Sequence, residues 1–149
     1  MNLYDPSDAQ TVIRRLRQLT PDTQPLWGRM SAGQMLAHLC VAYEMAFNPR
    51  FPRPTPFVRF FLKWLVKPGV VGPKPYPRNA PTAPVFRITD ARDFHAERER
   101  LEAFIQRVVS TGRSGFEGRE SPSFGPLSAE EWNVLFAKHI DHHLKQFAV

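Results

Sequence analysis

Apolar residues recur along this chain with a helical period in four separate stretches. In the first, Ala9, Val12, Ile13, Leu16 and Leu19 fall three or four positions apart, the spacing of one helix face. Asp5 can cap that helix and Pro6 suits its first position. Thr20-Pro21 should stop it, which predicts a helix from Asp5 to about Leu19. A second helix starts at Ser31, where Ser31 and Gln34 have the spacing of a capping box and Met30 can staple to Met35. Met35, Leu39, Ala42 and Ala46 form its stripe, widened by Leu36, Tyr43 and Phe47. Glu44 falls on the far side, and Pro49 should end the helix. A third opens near Asp90, with Asp93 at its third position, and buries Phe94, Leu101, Phe104, Ile105 and Val108. Gly112 is its natural stop, which leaves residues 112–127 as a loop rich in Gly, Ser and Pro. The fourth starts at Ser128, where Ser128 and Glu131 repeat the capping-box spacing and Leu127 can staple to Trp132. No strand is expected beyond the short run Pro84-Val85-Phe86-Arg87-Ile88. Four long amphipathic helices in a chain of this size predict an all-α fold, a four-helix bundle.

Residues 49–84 break the pattern, since ten of the fifteen prolines lie there. Pro49 to Pro56 and Pro68 to Pro84 cannot be regular helix and are expected to wrap over the helices as loops. Between them Phe57–Lys67 is apolar apart from Arg59, Lys63 and Lys67. Spaced by four, these three make a basic stripe on an apolar cylinder. A packed helix or a homodimer contact is the plain expectation. An anchor to an anionic membrane surface is the sharper alternative, with Trp64 suited to the interface.

Charge sharpens this picture. The chain of 149 residues carries a net charge of +6, yet no acidic residue lies between Glu44 and Asp90. That window holds Arg50, Arg53, Arg59, Lys63, Lys67, Lys74, Arg78 and Arg87. A local positive field favours an anionic partner, although a solvated basic surface has the same composition. No nucleic-acid-binding motif accompanies the charge, so nucleic acid is not expected. One cysteine, Cys40, excludes an intramolecular disulfide. The N-terminus lacks a basic region followed by an apolar one, and no run approaches the ~18 apolar residues of a membrane span. A cytoplasmic location is the expectation.

The chemistry lies in the histidines. On a wheel of about 100° per residue, His139 and His143 fall within about 20° of Trp132, in the middle of the last helix's apolar stripe. His142 falls at the stripe's edge. Lys138, Asp141 and Lys145 fall on the far side, in water. Two buried imidazoles left unpartnered would cost about 1–3 kcal/mol each, whereas one ion bound at about 2.0–2.1 Å satisfies both. A third ligand must then come from another helix. His38 is the candidate, flanked by Met35 and Ala42 on the second helix. His95 falls about 100° from Phe94 on its own helix and is less suited. Cys40 lies on a different side of its helix from His38 and reads as packing. By spacing alone, a hydrogen-bonded core pair and a three-histidine site both remain open.

Two segments carry a family resemblance. Trp27-Gly28-Arg29-Met30-Ser31-Ala32-Gly33-Gln34-Met35-Leu36-Ala37-His38 resembles the second helix of the DinB/YfiT-like superfamily. Trp132 and the ending Lys138-His139-Ile140-Asp141-His142-His143-Leu144-Lys145-Gln146-Phe147 resemble its last helix. The nearest branch is one known only as a domain of unknown function. The resemblance spans both ends of the chain, and the proline-rich middle matches much less. It implies a single bundle domain over residues 1–149 with a divalent metal on His38, His139 and His143. Zinc, nickel and iron are the ions such proteins bind. Several relatives transfer low-molecular-weight thiols, and others are called metal-dependent hydrolases. In this branch a His-Pro-x-Phe-Gly segment often precedes the last helix. Here it reads Ser121-Pro122-Ser123-Phe124-Gly125, so whatever that histidine does is lost.

Three neutral ligands leave a fourth position open, the pattern of a catalytic zinc site. The substrate would be a small molecule, anionic or thiol-containing. The pair is not H-E-x-x-H, because Ile140, Asp141 and His142 lie between its histidines. Asp141 and Glu44 point away, so no general base is evident. Gln146 and Gln34 each lie about one turn from a histidine and are candidates to orient ligand or substrate; both are equally readable as polar residues at a helix edge. Two classes of function follow. One is a metal-dependent enzyme, a hydrolase or thiol transferase. The other is a non-catalytic metal-binding or interaction module.

Overall fold

The computed structural model describes residues 1–48 and 51–149. Pro49, expected to end the second helix, and Arg50, one of the eight cations of the acid-free window, lie outside them. The described residues are mostly helical, with one small antiparallel pair of strands.

Helix α1 spans Pro6–Leu16, and the Asp5 carboxylate caps it by accepting from the Ser7 and Asp8 amides. It ends one turn before the expected Leu19. Beyond Leu16 the bonds become i→i−3, from Gln18 to Arg15 and from Leu19 to Leu16. This tighter winding still delivers Leu19 to the core, where it is buried. Helix α2 spans Ala32–Phe47 and opens on the expected capping box, in which Ser31 and Gln34 each accept from the other's amide. It is buried almost all round, because the two last long helices and the segments at Pro84–Phe86 and Glu120–Ser121 pack against it.

Helix α3 (Pro56–Phe61), a π-helical turn (Leu62–Val66) and α4 (Lys67–Val71) follow without a break. The helix was not expected to pass Pro68. Proline clashes with the carbonyl four residues back, and the wider π turn immediately before it, closed by the Lys67 amide on the Leu62 carbonyl, makes room. The expected basic stripe is split: Arg59 and Lys67 turn inward, whereas Lys63 is exposed. Arg59 pairs with Glu120 and Lys67 with Glu131, at 2.7 Å for the lysine. The aromatic rows face out.

Lys138 of the last helix, expected in water, donates instead to the carbonyls of Gly69, Gly72 and Lys74 at 2.8, 2.6 and 3.1 Å. It satisfies carbonyls around the end of α4 that have no helical partner and ties the proline-rich excursion to the last helix. The run Pro84–Ile88 is no strand: Pro84–Phe86 makes a single 3-10 turn.

Asp93 is the cap of α5 (Phe94–Phe116) and not its third residue. Gly112 breaks the helix as its left-handed φ of 66° requires, yet one more turn follows. That turn buries Phe116 completely, against the rings of Tyr4, Phe47, Trp132 and Phe136. Within the stretch expected to be loop, β1 (Glu120–Ser121) pairs with β2 (Gly125–Pro126). Helix α6 (Ala129–Gln146) opens on the second expected capping box. Leu127 and Trp132 beside that box are both buried. Helix α5 packs on α1, α2 and α6, and α2 on α6. Their core is aromatic: Tyr43 stacks on Phe136 at 4.6 Å, and Phe136 on Trp132 at 5.3 Å. No helix among the described residues is long and apolar enough to cross a membrane.

Candidate metal centre

Helix α2 carries His38 and α6 carries His139 and His143. The packing of these two helices brings one ligand nitrogen of each histidine within 4.8 Å of the others. The rings lie edge to face, with centroids 4.7 to 5.0 Å apart. The i, i+4 spacing stacks His139 and His143 one turn apart on α6. Their place in the stripe that starts at Trp132 turns both toward α2.

The outer nitrogens of two of these rings are held by acceptors. His38 Nδ1 lies 2.8 Å from the Phe86 carbonyl oxygen, which can only accept. The proton of His38 is therefore on Nδ1, and Nε2 presents its lone pair to the centre. Gln146 Nε2 donates to the Trp27 carbonyl at 2.6 Å, which turns Gln146 Oε1 toward His143 Nδ1 at 2.7 Å. His143 thus carries its proton on Nδ1 and also points a bare Nε2 inward. His38 Nε2 and His139 Nε2 are 2.8 Å apart. With His38 fixed as acceptor, the proton between them belongs to His139.

Burial dominates the protonation of all three. It lowers the pKa of His38, though the Phe86 carbonyl opposes it. Burial first, then neighbouring imidazoles, holds His139 well below the usual histidine value. His143 is pushed down to about 3, chiefly by burial. All three are neutral at neutral pH, the form that binds metal.

The cluster opens on a cavity of about 1450 Å³. Helices α2 and α6 form one wall. The other comes from Trp27, from Val66 to Val70 at the π turn and α4, and from the excursion through Tyr76 and Phe86. Among the described residues the lining includes Arg29, Lys74 and Arg87 but no carboxylate.

Each predicted residue now has a place. His142 stands at the cavity wall, 5.8 Å from both the Trp27 and Tyr76 rings, and outside the three-nitrogen cluster. Gln146 holds His143. Gln34 instead accepts from Ser31 in the capping box and donates to the Asp90 carbonyl at 3.2 Å, and it is not part of the cavity lining. His95 is exposed at the start of α5. Cys40 is buried, its Sγ 3.9 Å from the Glu97 carbonyl and its pKa pushed up to about 12 by burial. Asp141 pairs with Arg15 and Lys145, and Glu44 with Arg100. The Phe86 and Trp27 carbonyls were not foreseen. Backbone acceptors leave no mark in composition, and Phe86 sits in a stretch without periodicity. Gly28 is the one sequence trace of the Trp27 contact. At φ +82° it lets Gln146 approach to where a Cβ would lie 2.7 Å from Nε2.

A family model described as "Protein of unknown function (DUF1569)" matches residues 3–149. The chain belongs to the DUF1569 family. The match spans α1 through α6, so the three histidines and the Gln146 contact all lie within the DUF1569 region. Neither the curated proteins nor the solved structures compared with the DUF1569 chain gave a match.

Proposed function

We propose that this DUF1569 protein is a DinB-like four-helix bundle, formed by α1, α2, α5 and α6. In this reading it holds a divalent ion on Nε2 of His38, His139 and His143 and reacts a small thiol at that centre. The observation that carries the reading is the pair of preset tautomers. The Phe86 carbonyl and Gln146 turn two unprotonated nitrogens toward one point, beside a third within 4.8 Å. A hydrogen-bonded core would need only the His38–His139 contact. It gives no reason for His143 to present a bare nitrogen to the same place. Zinc suits three imidazoles and tolerates a fourth, open position; nickel and iron accept the same donors.

A divalent ion there supplies Lewis acidity, polarising a substrate oxygen or keeping a thiol in its reactive deprotonated form. The protein's own groups define the rest. To serve as a neutral ligand through Nε2, His139 would take the tautomer that carries its proton on Nδ1. Gln146 and the Phe86 carbonyl hold two rings in place without moving. The cavity's apolar walls limit water at the centre, while Arg29, Lys74 and Arg87 favour an anionic substrate. Among the described residues the lining holds no carboxylate to activate water or to protonate a leaving group, and this favours thiol transfer over hydrolysis, since a thiol that the ion keeps deprotonated is itself the nucleophile.

Cobalt substitution tests the proposal. Adding a small thiol to the cobalt-loaded protein should produce thiolate-to-cobalt charge-transfer absorption in the near ultraviolet, absent from the His139→Ala variant. A cobalt spectrum indifferent to thiols would refute the thiol reading and leave a metal-binding module.

A further inference from the structure

Among the described residues nothing covers the outer, apolar face of the helix that runs from Pro56 to Val71. Phe57, Trp64 and Leu65 are 73%, 65% and 74% exposed, and Phe60 and Phe61 are exposed beside them. The patch is continuous: Phe57 meets Phe61 at 4.9 Å, Phe61 meets Phe60 at 5.7 Å, and Phe60 meets Trp64 at 6.3 Å. So many large apolar groups together on a surface mark a docking site.

The helix is held from beneath and cannot simply turn this face inward. Arg59 is paired with Glu120, Lys67 is paired with Glu131, and Lys138 binds the carbonyls of Gly69 and Gly72. The Tyr76 hydroxyl donates to the Val70 carbonyl at 3.2 Å. These contacts use up the inner cations. Outside, Lys63 is exposed among the rings, and Arg53 is exposed just ahead of the segment. No acidic residue occurs anywhere from residue 45 to residue 89.

We infer that this face docks the protein on the surface of a bilayer containing anionic lipids. Ring side chains and Leu65 enter the boundary between headgroups and acyl chains, where Trp64 finds both an apolar and a polar neighbour. Lys63 extends its ammonium back to the phosphates. Charge complementarity selects this occupant over a second copy. Two such faces pressed together would oppose cation to cation with no acid of the same window to neutralise them, whereas an anionic surface neutralises every one. The binding is peripheral, and it sets the cavity wall formed by Val66 and Val70 directly beneath the lipid-facing helix.

The test is co-sedimentation with vesicles of equal parts phosphatidylcholine and phosphatidylglycerol, and with phosphatidylcholine alone, in the presence of a chelator so that metal plays no part. The protein should pellet with the anionic vesicles and be released as salt rises. Combining Phe60→Ser, Trp64→Ser and Leu65→Ser should weaken partition by at least about tenfold, and Lys63→Glu should weaken it on anionic vesicles alone. Brominated acyl chains should quench tryptophan fluorescence in the wild type and far less in Trp64→Phe, a check that does not depend on the triple variant folding. Absence of binding to anionic vesicles overturns the inference. So does equal binding to neutral ones, or a solution dimer that the triple variant dissolves.

Discussion

Replacing Gln146 by alanine removes one side chain that makes one buried and one partly buried contact, and its consequences divide cleanly. Gln146 Oε1 accepts from His143 Nδ1 at 2.7 Å, and Nε2 donates to the Trp27 carbonyl at 2.6 Å. His143 is buried, so its orphaned N–H costs about 1–3 kcal/mol, and the partly buried Trp27 carbonyl adds about 1 kcal/mol. The metal-free protein should lose about 2–4 kcal/mol, seen in urea titration. In thermal melts this corresponds to a Tm lower by about 5–15 °C at this chain length. Metal affinity should fall a further 10–100-fold or so, the usual effect of removing the group that orients a ligating histidine. Gln146→Glu separates the two effects. Its carboxylate still accepts from His143 but cannot donate to Trp27, so metal affinity should be largely kept while stability drops. Gln34→Ala, which touches only the cap of α2 and the Asp90 carbonyl, should cost about 1 kcal/mol of stability and leave the metal alone. The assay is competition against a chromophoric chelator. Unchanged metal affinity in Gln146→Ala would show that His143 is not oriented for an ion.

Three more outcomes follow from the same contacts. The stability of the metal-free protein should be level above pH 6.5 and fall below it by up to about 1.4 kcal/mol per pH unit for each buried histidine. The native rings have lowered pKa values, so the unfolded chain binds the extra protons; for His143 the loss continues down to about pH 3, and equal urea midpoints at pH 7 and pH 5 would contradict it. Gly28→Ala must push against Gln146 Nε2 and occupy a positive φ, so it should reproduce part of the Gln146→Ala loss in both stability and metal affinity, measured by the same two titrations. Lys138→Met removes three hydrogen bonds to residues 69–74 and should speed amide hydrogen exchange across the proline-rich excursion while α2 and α6 stay protected.

The sequence was readable wherever a local rule sufficed. Ser31/Gln34 and Ser128/Glu131 are capping boxes because each needs only its own four residues. The i, i+4 pair of His139 and His143 needs only the helical period. The wheel failed where a distant segment covers a face. Lys138 was assigned to solvent because nothing in α6 tells that the end of α4 lies over it. The stripe Arg59, Lys63, Lys67 assumes an even helical period, but the π turn at Leu62–Val66 interrupts it, and Glu120 and Glu131, some sixty residues away, draw in only Arg59 and Lys67. Gly112 was read as a stop because glycine permits its left-handed φ, and the burial of Phe116 decides that another turn follows. Gln34 lies near His38 along α2, but its side chain is already committed to the Ser31 amide and the Asp90 carbonyl.

The central claim is that His38, His139 and His143 share one ion, and the most direct measurement is zinc titration of the wild type and of four single alanine variants. The wild type should bind one equivalent, with a nitrogen-dominated first coordination shell in X-ray absorption. His38→Ala, His139→Ala and His143→Ala should each lose stoichiometric binding, and His142→Ala should keep it. Retention of one tight equivalent by any of the first three, or its loss in His142→Ala, would contradict the ligand set.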